Sequence, residues 1–163
     1  MNKTIRVIRT VDGTSVDGPG LRTSIYFAGC AHACPGCHNP QSWDFMAGEE
    51  TTVEELVRRI KENDFNVTFT GGDPLYQAEA LIPLAKSIIN IGKDIWIYTG
   101  FTFEEILEEG DQFKIELLQM AHVLVDGPFI QKLRDPDLLF RGSSNQRLID
   151  LPKTFAAKSI VNY

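Results

Sequence analysis

Cysteine is scarce in this 163-residue chain: there are three, Cys30, Cys34 and Cys37, and no fourth. An odd count, with no apolar signal-peptide core after Met1-Asn2-Lys3, argues against a disulfide framework and for a reducing, cytoplasmic setting. No apolar run approaches the ~20 residues of a membrane span, so no membrane association is expected. Basic runs are equally missing. The longest is the pair Arg58-Arg59, and the net charge is −6. Nucleic-acid binding normally leaves a basic patch, so nucleic acid is not expected as a partner. Internal repeats and low-complexity tracts are absent. The length also falls short of the roughly 250 residues of a complete eight-fold barrel. Hydrophobic residues at 43% and charged residues at 23% are ordinary for a globular protein, which leaves one soluble domain spanning residues 1–163.

What is present is concentrated. The stretch Gly29-Cys30-Ala31-His32-Ala33-Cys34-Pro35-Gly36-Cys37-His38-Asn39-Pro40 sits between an apolar segment, residues 23–28, and a turn at Asn39-Pro40. Three thiolates spaced four and three residues apart can converge from one loop on one metal centre. A structural zinc needs four ligands, and His32 or His38 could supply the fourth. Such sites usually draw on two Cys/His pairs, however, and the second pair is missing. A four-iron, four-sulfur cluster usually takes four cysteines. Three suggest a cluster with one iron left open to bind something else, and this is the reading adopted.

Along the chain, alternation at Ile5 and Val7 predicts a short strand or extended arm. Asp12-Gly13 and Asp17-Gly18-Pro19-Gly20 read as turns. Strands are expected over residues 23–28, 67–70, 95–98 and 123–125, the last two as continuous apolar runs buried on both faces. Thr52 and Glu55 form a capping box, followed by Val53, Leu56, Val57 and Ile60 on one stripe. Glu49, Glu50, Glu54 and Glu55 are expected in the solvated start of that helix. A second helix carries Ala78, Leu81, Ile82, Ala85, Ile88 and Ile89, with Pro83 kinking or restarting it and Gly92 as its stop. Thr102 and Glu105 cap a third helix ended by Gly110, and Phe113, Leu117 and Leu118 mark a fourth. Beyond Gln131 the chain is expected to be loop-rich, with a strand over residues 147–151. Alternating strands and helices imply right-handed crossovers and a parallel sheet. In such sheets the site lies at the strands' C-terminal ends. The cysteine loop, Gly71-Gly72, Thr99-Gly100 and Asp126-Gly127 each follow a predicted strand. Four motifs therefore point at one rim.

The spacing Cys-x3-Cys-x2-Cys resembles the signature of the radical S-adenosylmethionine (SAM) enzymes. Val16-Asp17-Gly18-Pro19-Gly20-Leu21-Arg22 ahead of it and Thr70-Gly71-Gly72-Asp73-Pro74-Leu75 after it make the pattern resemble the glycyl-radical activating enzymes. Within these it looks like the activating proteins of the anaerobic (class III) ribonucleoside-triphosphate reductases. Asp94-Ile95-Trp96-Ile97-Tyr98-Thr99-Gly100 and Arg141-Gly142-Ser143-Ser144-Asn145-Gln146 resemble the same group, so the similarity runs from about Val16 to Gln146. The resemblance implies an α/β fold, a small incomplete (β/α) barrel of the radical SAM type. Its sheet would be mostly parallel, with helices on the outside. It also implies that Cys30, Cys34 and Cys37 bind three irons of a 4Fe-4S cluster and that SAM chelates the fourth. No catalytic residue is expected beyond these ligands. An electron from a flavodoxin- or ferredoxin-like donor would split SAM into methionine and a 5′-deoxyadenosyl radical. That radical would take a hydrogen from a glycine Cα near the C-terminus of the anaerobic ribonucleotide reductase.

By the same resemblance, Gly71, Gly72 and Asp73 receive the methionine ammonium on backbone carbonyls and the Asp73 carboxylate. Many relatives carry Glu at position 73. Many also place an aromatic residue before the third cysteine, near the adenine. Here Gly36, beside Cys37, leaves that contact to the backbone or to His38, which reads equally as a loop residue without a ligand role. His32 is expected to face solvent. Thr99 and Asp126 are candidates for the ribose or sulfonium. Residues 141–146 could form a phosphate-like turn, a partner contact or a structural loop. Rival functions are activation of another glycyl-radical protein, of the pyruvate formate-lyase type, and a non-catalytic zinc-stabilised adaptor.

Overall fold

A computed structural model describes residues 4–163. Met1-Asn2-Lys3, where a signal peptide would begin, lies outside the described residues. The strands are β1 (Ile5–Thr14), β2 (Arg22–Phe27), β3 (Glu49–Thr51), β4 (Asn66–Gly71), β5 (Ile95–Tyr98), β6 (Val123–Asp126) and β7 (Arg147–Asp150). The helices are α1 (Val53–Asn63), α2 (Ala78–Asn90), α3 (Phe103–Glu109), α4 (Gln112–Met120) and α5 (Leu151–Ala157). One sheet runs in the order β3-β1-β2-β4-β5-β6-β7. Its centre, β2-β4-β5-β6, is parallel as expected. Antiparallel pairs flank it: β1 with β2, β3 with β1, and β7 with β6. The sheet is open, and its edge strands β3 and β7 do not pair with each other.

Side chains alternate across each strand, and the two faces differ. Ile25, Phe27, Val67, Phe69, Ile95, Ile97 and Leu124 face a layer that includes Leu56, Ile60, Leu81, Leu84, Ile88, Leu117 and Leu118, all buried. Each such side chain contributes about 1.5–3 kcal/mol of burial. Parallel strands added in one direction through right-handed crossovers put their helices on one side. The opposite face carries Ser24, Tyr26, Thr68, Thr70, Trp96 and Tyr98. Trp96 packs edge-on against Phe140 and Tyr163, at 5.3 and 5.1 Å. Arg22, fully buried on this face, donates to Thr68 Oγ1 (2.8 Å) and the Val67 carbonyl (2.7 Å) and pairs with Asp94. Thr68 Oγ1 in turn donates to the Asp17 carbonyl at 2.7 Å. This network pins the Asp17-Gly18-Pro19-Gly20 turn to the sheet.

The threonine half of each capping box forms, while the Glu55 carboxylate accepts from Arg58 at 2.6 Å. Thr52 and Thr102 hydroxyls accept the N–H groups of Glu55 and Glu105, each at 3.2 Å. Several elements differ. Asp12-Gly13 is no break: β1 continues through it by register shifts, with Gly13 at φ +75°. Glu49 and Glu50 are not in a helix start but in β3, opposite Val7 and Arg6. Helix α2 continues through the exposed Pro83 rather than restarting. Strand β7 stops at Asp150, whose carboxylate accepts the Lys153 N–H at 2.9 Å and begins the unanticipated α5.

Candidate metal centre

The cysteine loop leaves β2 and is closed by backbone hydrogen bonds. Gly29 N–H donates to the Ser42 carbonyl (2.8 Å), Cys30 N–H to that of Trp43 (3.2 Å), and Cys37 N–H to that of Cys34 (3.1 Å). Asn39 N–H points at Cys37 Sγ, 3.4 Å away. All three cysteines are free and half-buried. Burial, and then the charge of Asp73, push the Cys30 thiol up to about 11, against hydrogen bonds from the loop backbone that lower it. Cys30 is thus a thiol at neutral pH until a cation ionises it.

A cavity of about 670 Å³ gathers the predicted motifs, a size usual for a ligand site. Cys30, Cys34, Cys37, His32 and His38 line it from the loop. Thr70-Gly71-Gly72 line it from the end of β4, Tyr98-Thr99-Gly100 from β5, and Gly127 from the end of β6. Asp17, Tyr26, Phe129, Phe140, Arg141 and Gln146 are also in the wall. A second groove, about 810 Å³, lies between β1, β3 and α1. It is lined by Arg58, Arg59, Glu49 and Glu62 but by no cysteine, so the chemistry belongs to the first.

Gly71 and Gly72 are required by close packing. Gly71 has φ +108°, and a Cβ there would lie 2.3 Å from Phe27 N. A Cβ at Gly72 would lie 2.5 Å from the Gly29 carbonyl oxygen and 2.8 Å from that of Ser42. Gly72 N–H donates to the Phe27 carbonyl and Asp73 N–H to that of Gly29, both at 2.8 Å. The end of β4 therefore lies backbone-to-backbone on the root of the cysteine loop.

Asp73 is fully buried and does not line the cavity. Its Oδ2 accepts from His32 Nε2 (2.7 Å), Thr99 Oγ1 (2.8 Å) and Gly100 N–H (2.9 Å), and its Oδ1 from Leu75 N–H (3.0 Å). His32 does not face solvent, contrary to expectation. Its side chain is 16% exposed and is held by Asp73. The sequence offered no sign of this pairing across 41 positions. Thr99 reaches both cavity and Asp73. Asp126 is buried outside the cavity wall, where Arg147 donates to it at 3.0 and 2.5 Å and Phe103 N–H at 2.8 Å. Gly36 is exposed at φ +77° and lies outside the cavity wall. His38 is exposed at the wall, with its ring 5.4 Å from Phe129.

The 141–146 segment is a loop bonded to itself and to the end of β6. Gln146 Oε1 accepts the N–H groups of Gly142 (2.9 Å) and Ser143 (3.2 Å), while its Nε2 donates to the Gly127 carbonyl (3.1 Å). Asp17 was also missed as a wall residue. Ser24 Oγ and Tyr26 OH donate to its carboxylate at 3.0 and 3.3 Å. Among the described residues no three His, Cys, Asp or Glu side chains close on a single-ion point. Three soft thiol donors on one cavity, with no fourth cysteine in the chain, suit an iron–sulfur cluster with an open iron.

Comparison with known proteins agrees. A family described as a 4Fe-4S single cluster domain matches residues 16–149. The anaerobic ribonucleoside-triphosphate reductase-activating protein of Haemophilus influenzae is 36% identical over 141 residues, covering 80% of this chain and 88% of its own length. That of Escherichia coli K12 is 34% identical over 142 residues, covering 80% and 89%. That of Enterobacteria phage T4 is 36% identical over 142 residues, covering 82% and 86%. Among solved structures, QueE from Escherichia coli superposes with a TM-score of 0.52 at 19% identity, over 61% of this chain and 54% of that one. At that identity the likeness speaks for the fold, shared over about half of QueE. With relatives this similar over four-fifths of its length, the chain belongs to the family of anaerobic ribonucleoside-triphosphate reductase-activating proteins.

Proposed function

We propose that this protein is a radical SAM activase that installs a glycyl radical on an anaerobic ribonucleotide reductase. The observation that carries the reading is the meeting of Cys30, Cys34 and Cys37 with Gly71-Gly72 and Thr99-Gly100 on one cavity. That cavity lies at the C-terminal ends of the parallel strands. Once reduced by an external one-electron donor, a 4Fe-4S cluster held there would supply the electron for reductive cleavage of SAM, the chemistry by which a hydrogen could be taken from a glycine Cα.

The chain's own residues hold and enclose. Cys30, Cys34 and Cys37 hold three irons. Gly71 and Gly72 let backbone carbonyls approach the methionine ammonium, and with the Asp73 carboxylate buried off the cavity wall these carbonyls are the acceptors that segment offers. Cys37 and the ring of His38, which line the cavity, stand on the adenine side, while Gly36 lies outside the wall and makes no such contact. Phe129 lies beside His38, and Tyr26, Tyr98 and Phe140 line other parts of the cavity with aromatic surface. We read the open sheet, with helices on one face only, as the arc of an incomplete barrel in a single radical SAM domain over residues 1–163. Three free cysteines suit the reducing cytoplasm, and a flavodoxin- or ferredoxin-like protein is the expected electron donor.

The test is electron paramagnetic resonance of an anaerobic mixture of reduced, SAM-loaded protein and reductase. The reductase's C-terminal glycine is either kept or replaced by alanine. A doublet from coupling to the remaining α-hydrogen should appear only with the glycine. If 5′-deoxyadenosine forms and the doublet never appears, the partner is wrong and the radical chemistry stands. Replacing Cys30, Cys34 or Cys37 singly by alanine should abolish both cluster content and SAM cleavage. Full iron content in any one variant would remove that residue from the ligand set.

A further inference from the structure

We infer that His32 and Asp73 are positioning residues that lock the cysteine loop in its metal-holding shape. The inference rests on the reading that Cys30, Cys34 and Cys37 are the iron ligands, and it gives Asp73 a different role from the ammonium contact expected of it. A carboxylate offers about four acceptor sites, and Asp73, with no exposed surface, already accepts four donors. These come from three places: the cysteine loop, the end of β5, and the turn after Asp73 itself. Oδ2 takes three of the donors and Oδ1 only the Leu75 N–H, but with no exposed surface and no place on the cavity wall Asp73 is closed to an ammonium from outside.

His32 is seated in a socket built to receive it. Gly100 forms one wall, where a Cβ would lie 2.6 Å from the ring. Phe101 stands edge-on at 4.5 Å, and the Tyr76 ring is tilted toward that of His32 at 5.8 Å. A carboxylate oxygen only accepts, which assigns the hydrogen to Nε2. The next residue, Ala33, has φ +49°, a left-handed conformation disfavoured for any residue with a Cβ. A loop wound in this way needs an anchor. His32 is two residues from both Cys30 and Cys34, so fixing its ring fixes how both thiols leave the backbone. Residues that orient ligands in this way typically matter about ten- to a hundred-fold for metal affinity.

The experiment follows iron release from the anaerobically reconstituted protein to a chelator, by absorbance. His32→Leu should release iron about tenfold faster than the unaltered protein. His32→Gln, whose amide can donate from nearly the position of Nε2, should restore most of the retention. Asp73→Asn should also release iron faster, with SAM affinity per remaining cluster unchanged. Asp126→Asn, an equally buried carboxylate outside the cavity wall, controls for general loosening and should release iron at the normal rate. Normal release from His32→Leu overturns the inference, as does a Gln variant as leaky as Leu or an equal effect of Asp126→Asn. Normal iron retention with weakened SAM binding in Asp73→Asn would return Asp73 to the ammonium. A wild-type protein that takes up no iron and sulfide removes the ligand reading itself, a separate and recognisable failure.

Discussion

Gly72 shows how much a single missing side chain decides. Its absent Cβ would meet the carbonyl oxygens of Gly29 and Ser42, the two residues that close the root of the cysteine loop by a hydrogen bond. Gly72→Val should therefore lose most of its iron as well as SAM binding, read from iron analysis and equilibrium binding. Full iron with only weaker SAM binding would make Gly72 a ligand-approach residue alone. Gly92, by contrast, has open space around its Cβ position and only φ +81° against it, so Gly92→Ala should cost about 1 kcal/mol. Arg22 makes the opposite case, a charge wholly inside the protein. Asp94→Ala would leave its guanidinium with Thr68, the carbonyls of Val67 and Pro19 and the Trp96 ring, but no counter-charge. Because the Asp94 side chain is 32% exposed, the expected loss in denaturant unfolding is about 2 kcal/mol, below that for a fully buried pair.

Among the elements, the parallel strands were legible because their apolar runs end in Gly-Gly, Thr-Gly and Asp-Gly, and the helices because Thr52 and Thr102 carry capping boxes. Strand β3 was not legible. Glu49-Glu50-Thr51 has little strand preference and pairs only because β1, more than 40 positions earlier, lies beside it. Asp12-Gly13 misled because a bulge inside a strand uses the same residues as a turn. Helix α5 announced itself only by Asp150 and the proline in its first turn. In the site, the cysteine loop and the glycines could be placed on one rim because each follows an apolar run. The direction of the Asp73 carboxylate could not, since it depends on His32 and Thr99 meeting in three dimensions. The β6–β7 pairing carries its own prediction. Arg147 bridges Asp126 at the end of β6 and Glu104 in α3, at 2.5 and 2.7 Å. Arg147→Leu should cost about 1–2 kcal/mol, given its partial exposure, and speed hydrogen exchange in residues 127–146 while β4 stays protected. Uniform exchange across the sheet would contradict this.

At the scale of the whole molecule, pH reports on the face without helices. Tyr98 donates its hydroxyl to the Phe140 carbonyl at 2.7 Å. Burial first, and then the charge of Asp17, push its pKa up, and Tyr26 and Tyr76 are raised chiefly by burial too. An unfolded tyrosine releases its proton near pH 10, whereas the folded protein retains it. Stability from this source is therefore complete below about pH 10 and lost as pH rises further. Melting temperatures of the metal-free protein should fall above that pH, and Tyr98→Phe should flatten the fall. An unchanged slope would mean that Tyr98 does not carry the effect. The same face has a cover of a different kind from the helical side. Residues 15–21 and 128–146 supply it, an irregular layer that leaves the apolar Val16 and Leu139 each 67% exposed. Such a layer opens at lower free energy than a strand locked on both sides. Warmed partway to its melting point, the protein should therefore lose its cavity while far-ultraviolet spectra remain those of an intact fold. It should regain the cavity on cooling. Its working temperature range is then set by the cover and not by the sheet.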